Sequence, residues 1–389
     1  MVEFPAERVV SEPACGSFHR ILLVGNYMWP WYQEACAKAL EKLGCEVERF
    51  GWFDDFHHWR EGLSEPFYHS LWHRMQYRLH TGPTVWRVSR RLLERTEAFQ
   101  PDIVWFYNVQ LISPSVVKAM RHTCPNATFV QYANDNPFST SAKPGLWRNF
   151  LESIPLFDVH FSFRLSNVDD YRQRGAKSVH LLRAYFIPED EYPVPQYEIP
   201  ERFKCDVVFV GHYEDDGRVE LLEIICDAGF HLNLFGGGWN AALPGLRADS
   251  PLRDKYPVSP AMEVDYRYAI CGAKVALCFL STLNRDTYTR RSFQIPAMRT
   301  AMLSQYTDDL AGLYEEDKEA VFFRSQTELL DKLKRLLSDD PWRVSVADAG
   351  YAKVYAAEHD VESRMLDFLK KTHPLQKRWA AGDDMVKVW

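Results

Sequence analysis

Short runs of apolar residues, each followed by a stretch with helical spacing, recur along this chain and leave little freedom in its fold class. The first is His19-Arg-Ile-Leu-Leu-Val-Gly-Asn26. A strand that is apolar at successive rather than alternate positions is buried on both faces, as in a parallel sheet covered by helices. Trp31 to Leu43 then has apolar residues at helical spacing and stops at Gly44, and Cys45 to Phe50 returns as a strand. Asp102 to Tyr107, Thr128 to Tyr132 and Val159 to Phe163 continue the pattern as a βαβ series. A second series opens at Cys205 to Val210, with further strands at His231 to Phe235, Ala273 to Leu280 and Ala301 to Ser304. Helices are expected near 218–228, 261–271 and 294–299, and the chain closes with three more at about 326–338, 341–357 and 360–371.

Two series imply two domains, and 389 residues exceed what one hydrophobic core usually supports. Between them Pro188, Pro193, Pro195 and Pro200 punctuate an aperiodic, acidic stretch that reads as a linker. The expected plan is a Rossmann-like domain over 1–187, a linker at 188–203, a second Rossmann-like domain over 204–372 and a tail at 373–389. The fold class is α/β, with two doubly wound domains facing across a cleft. Ligands of such sheets bind outside the carboxyl ends of the strands, so the residues that follow each strand are the candidates for function.

Composition removes several classes of function. A 46% hydrophobic and 25% charged chain is neither disordered nor fibrous, and a net charge of −7 offers no general attraction for nucleic acid. The eight cysteines contain no C-x-x-C pair and several lie in apolar runs, which suits buried thiols in a reducing cytoplasm. The first residues lack a basic-then-apolar leader, and no apolar run approaches a membrane span. A cytoplasmic protein is expected.

The strand ends carry chemistry. Gly25-Asn26 follows the first strand, and Asn134-Asp135-Asn136-Pro137 follows a later one. There Asp135 could take a proton from an acceptor hydroxyl or bond a sugar, with Asn134 beside it; the alternative is an Asx-turn ending at proline. Gly211-His212 leads through acids to Arg218 at a helix start, a turn of the kind that binds anions. Gly236 to Gly238 would let backbone approach a ligand with Trp239 as a stacking face, unless Trp239 is simply core. Thr287-Tyr-Thr-Arg-Arg-Ser-Phe-Gln-Ile-Pro-Ala297 gathers Arg290, Arg291, Ser292 and Gln294 at one strand-to-helix junction. It reads as a diphosphate-and-ribose pocket or as a helix start with solvated arginines. His160 sits in an apolar run and reads as core, while His57, His58, His69 and His73 lack a convincing ligand set, so no metal is expected. Residues 74–95 hold six arginines against Glu94, 6 − 1 = +5, interleaved with tryptophan, tyrosine and leucine. That region, taken as 72–95, either meets an anionic or membrane-bound acceptor at the inner membrane face or is a solvated helix face.

Val207-Val-Phe-Val-Gly211, Arg218, Leu234-Phe-Gly236 with Trp239, Arg291 to Ala297, and Glu358-His359 with Arg364 resemble the C-terminal half of CgeB-like glycosyltransferases. That family is similar to the GT-B sugar transferases that include the GT4-type enzymes, and the resemblance spans roughly 205–370. It implies a nucleotide diphosphate-sugar donor held by the C-terminal domain, and an acceptor held by the N-terminal domain. The acceptor would be a glycan, a lipid-linked or protein group, or a small molecule. The donor is a substrate, so no cofactor is called for. Under this resemblance Arg218, Arg291 and Ser292 hold phosphate, with Arg290 beside them, and Gln294 holds the ribose. Gly211, His212, Gly236 and Trp239 line the donor, while Gly25, Asn26 and Asn134 lie on the acceptor side with Asp135 as base or positioning group. Relatives carry two glutamates where this chain has Asp286 and Gln294, and a glycine pair where it has Met298-Arg299. The altered acids leave a non-catalytic nucleotide-sugar or carbohydrate binder, or a GT-B sugar-nucleotide epimerase, as alternatives.

Overall fold

The computed structural model describes residues 19–56, 67–139 and 145–380. The chain forms two compact units, one made of residues up to Arg183 together with those from Arg364 onward, the other of Ala184–Ser363.

The first unit is built on a six-stranded parallel sheet of β1 (Arg20–Gly25), β2 (Glu46–Gly51), β3 (Ile103–Tyr107), β4 (Thr128–Ala133), β5 (Val159–Ser162) and β6 (Val179–Leu181), in the order β2-β1-β3-β4-β5-β6. Every residue of β3 and β4 is buried, as suits the unbroken apolar run of β3 and the largely apolar β4, whereas the edge strand β2 begins exposed. On one face Leu22, Val24, Val104 and Phe106 meet Val88 and Leu92 of the Pro83–Phe99 helix. On the other, Trp105 and Phe161 pack against Phe368, with ring centroids 4.3 and 5.1 Å apart. Phe368 belongs to the closing helix, Val361–Ala380.

The second unit carries a five-stranded parallel sheet of β7 (Cys205–Val210), β8 (Leu232–Phe235), β9 (Ala273–Cys278), β10 (Ala301–Gln305) and β11 (Val321–Phe323), ordered β11-β10-β9-β7-β8. Its core joins Val207, Phe209, Val275 and Leu277 to Leu222 of the Arg218–Asp227 helix and Leu333 of the Gln326–Ser338 helix. In each sheet the first strand lies between the second and the third. The chain therefore winds in opposite directions on either side of β1/β3 and of β7/β9, which opens a crevice at the carboxyl ends of those strands.

The structure corrects the expected plan at three places. The stretch 188–203 packs into the second unit and does not run free as a linker: Glu191 and Ile199 are buried, Gln196 Nε2 donates to the Cys271 carbonyl at 2.7 Å, and Arg267 Nη1 donates to that of Asp190 at 2.9 Å. The closing helix, assigned in sequence to the second domain, belongs from Arg364 onward to the first. The helix expected at 294–299 is Arg291–Ala297, which draws the whole Arg291-to-Gln294 motif into its first turn. Smaller shifts are local. The helix expected over Trp31 to Leu43 is a π-turn at Pro30–Glu34 followed by Ala35–Lys42, with Gly44 at φ +87° beyond its end. β6 and β11 were not anticipated, because three residues are too few to show a period.

Candidate functional site

The crevice between β7 and β9 is shaped by a loop that three backbone features force into place. Gly211 follows β7, its N–H donates to the Phe235 carbonyl at 2.9 Å, and its own carbonyl accepts from Trp239 Nε1 at 2.9 Å. Gly236 lies against it with φ +147°, so close that a Cβ there would collide with the Gly211 carbonyl. Only glycine fits such an approach. Trp239 is thus a core residue, 1% exposed and packed against Phe209 and Tyr213, which is the second of the two readings the sequence left open.

Arg218 is also corrected. Its side chain is buried, Nε and Nη2 donate to the two carboxylate oxygens of Asp216 at 2.7 and 2.6 Å, and Nη1 donates to the His212 carbonyl at 2.6 Å. The guanidinium fork is spent on clasping the 212–218 loop instead of being offered to phosphate. Sequence reasoning passed over Glu214, which turns out to organise that loop. It is buried, accepts from Ser281 Oγ at 2.7 Å, and lies 3.0 Å from His212 Nε2 and 3.5 Å from Arg218 Nη2. Burial is the largest single influence on its carboxyl and pushes the pKa up. The hydrogen bonds from His212 and Ser281 and the charge of Arg218 together outweigh it and hold the group below its ordinary range. The imidazole of His212 is largely exposed and is held from behind by this carboxylate.

At the other strand of the crevice the arginines separate in role. Arg290 reaches back into its own unit, with Nη2 on Glu191 Oε1 at 2.7 Å and Nε on the Tyr185 carbonyl at 3.2 Å. Arg291 has a single hydrogen bond, from Nη2 to the Phe279 carbonyl at 3.1 Å, and no ion pair among the described residues. Its Nε is buried without a partner, and its Nη1 would lie 3.3 Å from a Cβ built on Gly211. Ser292 is fully buried. Its Oγ accepts from the Thr289 N–H at 3.1 Å and its carbonyl accepts from Tyr314 Oη at 2.8 Å, so it caps its own turn and does not face a ligand. Gln294 is occupied at both ends, its amide nitrogen bonded to Glu191 Oε1 and its amide oxygen accepting from Tyr266 Oη at 2.8 Å. It is also buried, so its amide is held inside the unit by these two partners. Asp286 closes the turn after β9, its N–H donating to the Ser281 carbonyl at 2.9 Å.

In the first unit, Asp135 lies just beyond β4, with Oδ2 accepting from Asn108 Nδ2 at 3.1 Å. Asn108, at φ +57° after β3, escaped sequence reasoning because nothing in its neighbourhood marks it. Asn134 has a buried side-chain oxygen without a partner, and its carbonyl accepts from Arg164. Gly25 is covered by Gln33, whose side chain occupies the space a Cβ would need, and Asn26 makes an Asx-turn to the Met28 N–H at 3.2 Å. His160 is core, as read, its pKa lowered to about 4 chiefly by burial. His57 and His58 lie outside the described residues. Among the described residues no group of three His, Cys, Asp or Glu could hold a metal ion, and no helix is long and apolar enough to cross a membrane.

Two parallel, doubly wound α/β units in one chain define the GT-B glycosyltransferase fold, and known proteins agree. Residues 218–370 match the family described as glycosyl transferase-like. Sucrose-phosphate synthase from Thermosynechococcus elongatus superposes with a TM-score of 0.64 at 12% identity, over 92% of this chain and 100% of that one. Anabaena Alr3699/HepE, solved in complex with UDP and glucose, gives 0.64 at 9% identity over 92% and 100%. A UDP-forming α,α-trehalose-phosphate synthase from Burkholderia xenovorans gives 0.59 at 12% identity over 92% and 99%. No curated protein matches in sequence.

Proposed function

We propose that this protein is a glycosyltransferase of the CgeB-like kind that moves a sugar from a nucleoside diphosphate-sugar to a hydroxyl-bearing acceptor without a metal ion. The observation that carries the reading is Arg291. It is a cation with no carboxylate partner among the described residues, seated beside a residue without a side chain at the point where β7 and β9 diverge. Leaving a partly buried guanidinium without a counter-charge is costly unless a ligand supplies one, and a diphosphate suits its fork. As the donor bond breaks, negative charge grows on the leaving diphosphate, and a preorganised arginine stabilises that charge in the way a metal ion would. His212, next in sequence to Gly211 and held by Glu214, would be a second donor to the same ligand. Arg218 holds the loop and does not touch the ligand. Asp135 takes or orients the acceptor hydroxyl proton. The likeness in fold to a protein solved with UDP and glucose supports a uridine nucleotide as the first donor to try.

Thermal unfolding with UDP, UDP-glucose and other nucleotide-sugars tests the proposal, since a ligand of the folded state must raise the transition temperature. Stabilisation by at least one nucleoside diphosphate, together with sugar release or transfer from the matching donor, is expected. Binding without turnover would make the protein a non-catalytic binder, and no shift with any diphosphate would remove the donor site altogether. Arg291→Ala should weaken nucleoside diphosphate binding by roughly 10- to 100-fold, the worth of a charge-assisted hydrogen bond, and leave nucleoside binding nearly unchanged. Equal loss for both ligands would take Arg291 out of the phosphate site.

A further inference from the structure

The Phe67–Leu79 helix is turned the wrong way round for a helix covered only by solvent. From Leu71 onward its inward side includes His73, edge-on to Phe56, Gln76, whose Oε1 accepts from the Thr84 N–H at 2.8 Å, and Tyr77, which stacks on Trp52 at 6.2 Å, with His80 buried just past its end. Its outward side shows Leu71, Trp72, Met75 and Leu79, each 46% to 56% exposed. Spacings of one, four and eight residues put these four on one face, with Arg74 and Arg78 along its edge. The adjoining Pro83–Phe99 helix adds Trp86, 64% exposed, with Arg87 and Arg90 on its outward side. Exposed large apolar side chains scattered singly need no explanation, but a helix that turns Gln76 inward beside Tyr77 while exposing tryptophan, leucine and methionine on one face does.

We infer that this face seats on an anionic lipid surface. The charge pattern favours that occupant over a protein groove. From Pro66 to Leu93 the chain has no Asp or Glu and five arginines. Two of these, Arg87 and Arg91, lie near Asp55, Arg90 pairs with Glu94, and Arg78 has no ion pair among the described residues. Tryptophan beside arginine, with leucine and methionine between, is the composition of a helix lying in the headgroup region. There aromatic rings take the polar–apolar boundary, aliphatic chains enter the acyl layer and arginines meet lipid phosphates. The surface belongs to the first unit and involves none of the residues assigned to the nucleotide site.

Co-sedimentation of the full chain with phosphatidylcholine vesicles, with and without phosphatidylglycerol, tests the inference in the absence of nucleotide. Binding is expected only to the anionic vesicles, falling as salt is raised. Trp72→Ser combined with Leu79→Ser should lower the bound fraction by about tenfold or more, and Arg78→Glu by about tenfold, with melting temperature unchanged because these side chains face outward. The inference is overturned if no vesicle binds, or if binding survives the double substitution. It is equally overturned if light scattering shows a dimer that the double substitution dissociates, since the face would then join two copies of the chain.

Discussion

Gln294 stands where the resemblance drawn from sequence leads to a glutamate, and its surroundings favour the amide. Its amide nitrogen lies on Glu191 Oε1, a carboxylate 103 residues earlier in the chain, which also takes Arg290 and the Ile187 N–H. A glutamate at 294 would set two carboxylates against one cation, whereas a glutamine supplies the donor that Glu191 needs. Burial, only partly offset by Arg290, already raises the Glu191 pKa. A carboxyl raised in the folded state contributes its stability at low pH and loses it as pH climbs through the folded value. Gln294→Glu would raise the pair further. The variant should therefore lose on the order of 2–3 kcal/mol near neutral pH and recover much of it toward about pH 5. Melting curves across that range check this; a penalty independent of pH would mean that the two carboxyls do not interact. Adding Glu191→Gln to the variant should restore most of the loss, as the coupling of a double-mutant cycle.

At the scale of elements, the Arg291–Ala297 helix ends on an awkward residue. Arg299 has φ +55°, its N–H donates to the Pro296 carbonyl at 2.9 Å, and the following Thr300 N–H donates to Ile295 at 3.3 Å. Position 299 is thus a left-handed helix terminus, which accounts physically for the glycine expected there from the resemblance. The exposed pair with Asp348 returns little. Arg299→Gly should accordingly stabilise the second unit by up to about 1 kcal/mol, read as a higher denaturant midpoint at unchanged slope. A loss of stability would show that the Asp348 pair outweighs the backbone strain. The glycines after β7 and β8 were legible in sequence as close-approach positions. Their purpose was not, because Gly236 makes room for the Gly211 carbonyl and Trp239 rather than for a ligand.

Across the whole molecule, the two sheets are organised alike but depend on different parts of the chain. The first is completed by residues from Arg364 onward, after the entire second unit has been traversed. Phe368, fully buried on Trp105 and Phe161, is the anchor. Phe368→Ala should destabilise the first unit by about 3–5 kcal/mol while leaving the stability of the second nearly unchanged. Hydrogen exchange mapped by unit checks this, and loss confined to the second unit would contradict the assignment. Helical spacing at 360–371 was plain in the sequence. Which sheet it covers was not, because an amphipathic helix reports that it has a buried face without reporting what buries it.

The chain's amino-acid pattern sufficed for two parallel α/β sheets and for most strand positions to within a residue or two. Burial on both faces writes itself into contiguous residues, so local composition carries it. The allotment of polar groups at the strand ends came only with the tertiary structure. Arg218 is consumed by Asp216, Ser292 by its own turn, and Arg290 and Gln294 by Glu191. Of these arginines, Arg291 alone has no carboxylate partner among the described residues. A side chain's capacity to donate is fixed by its type, but whether that capacity is already met depends on partners brought from distant positions, to which no period or motif points.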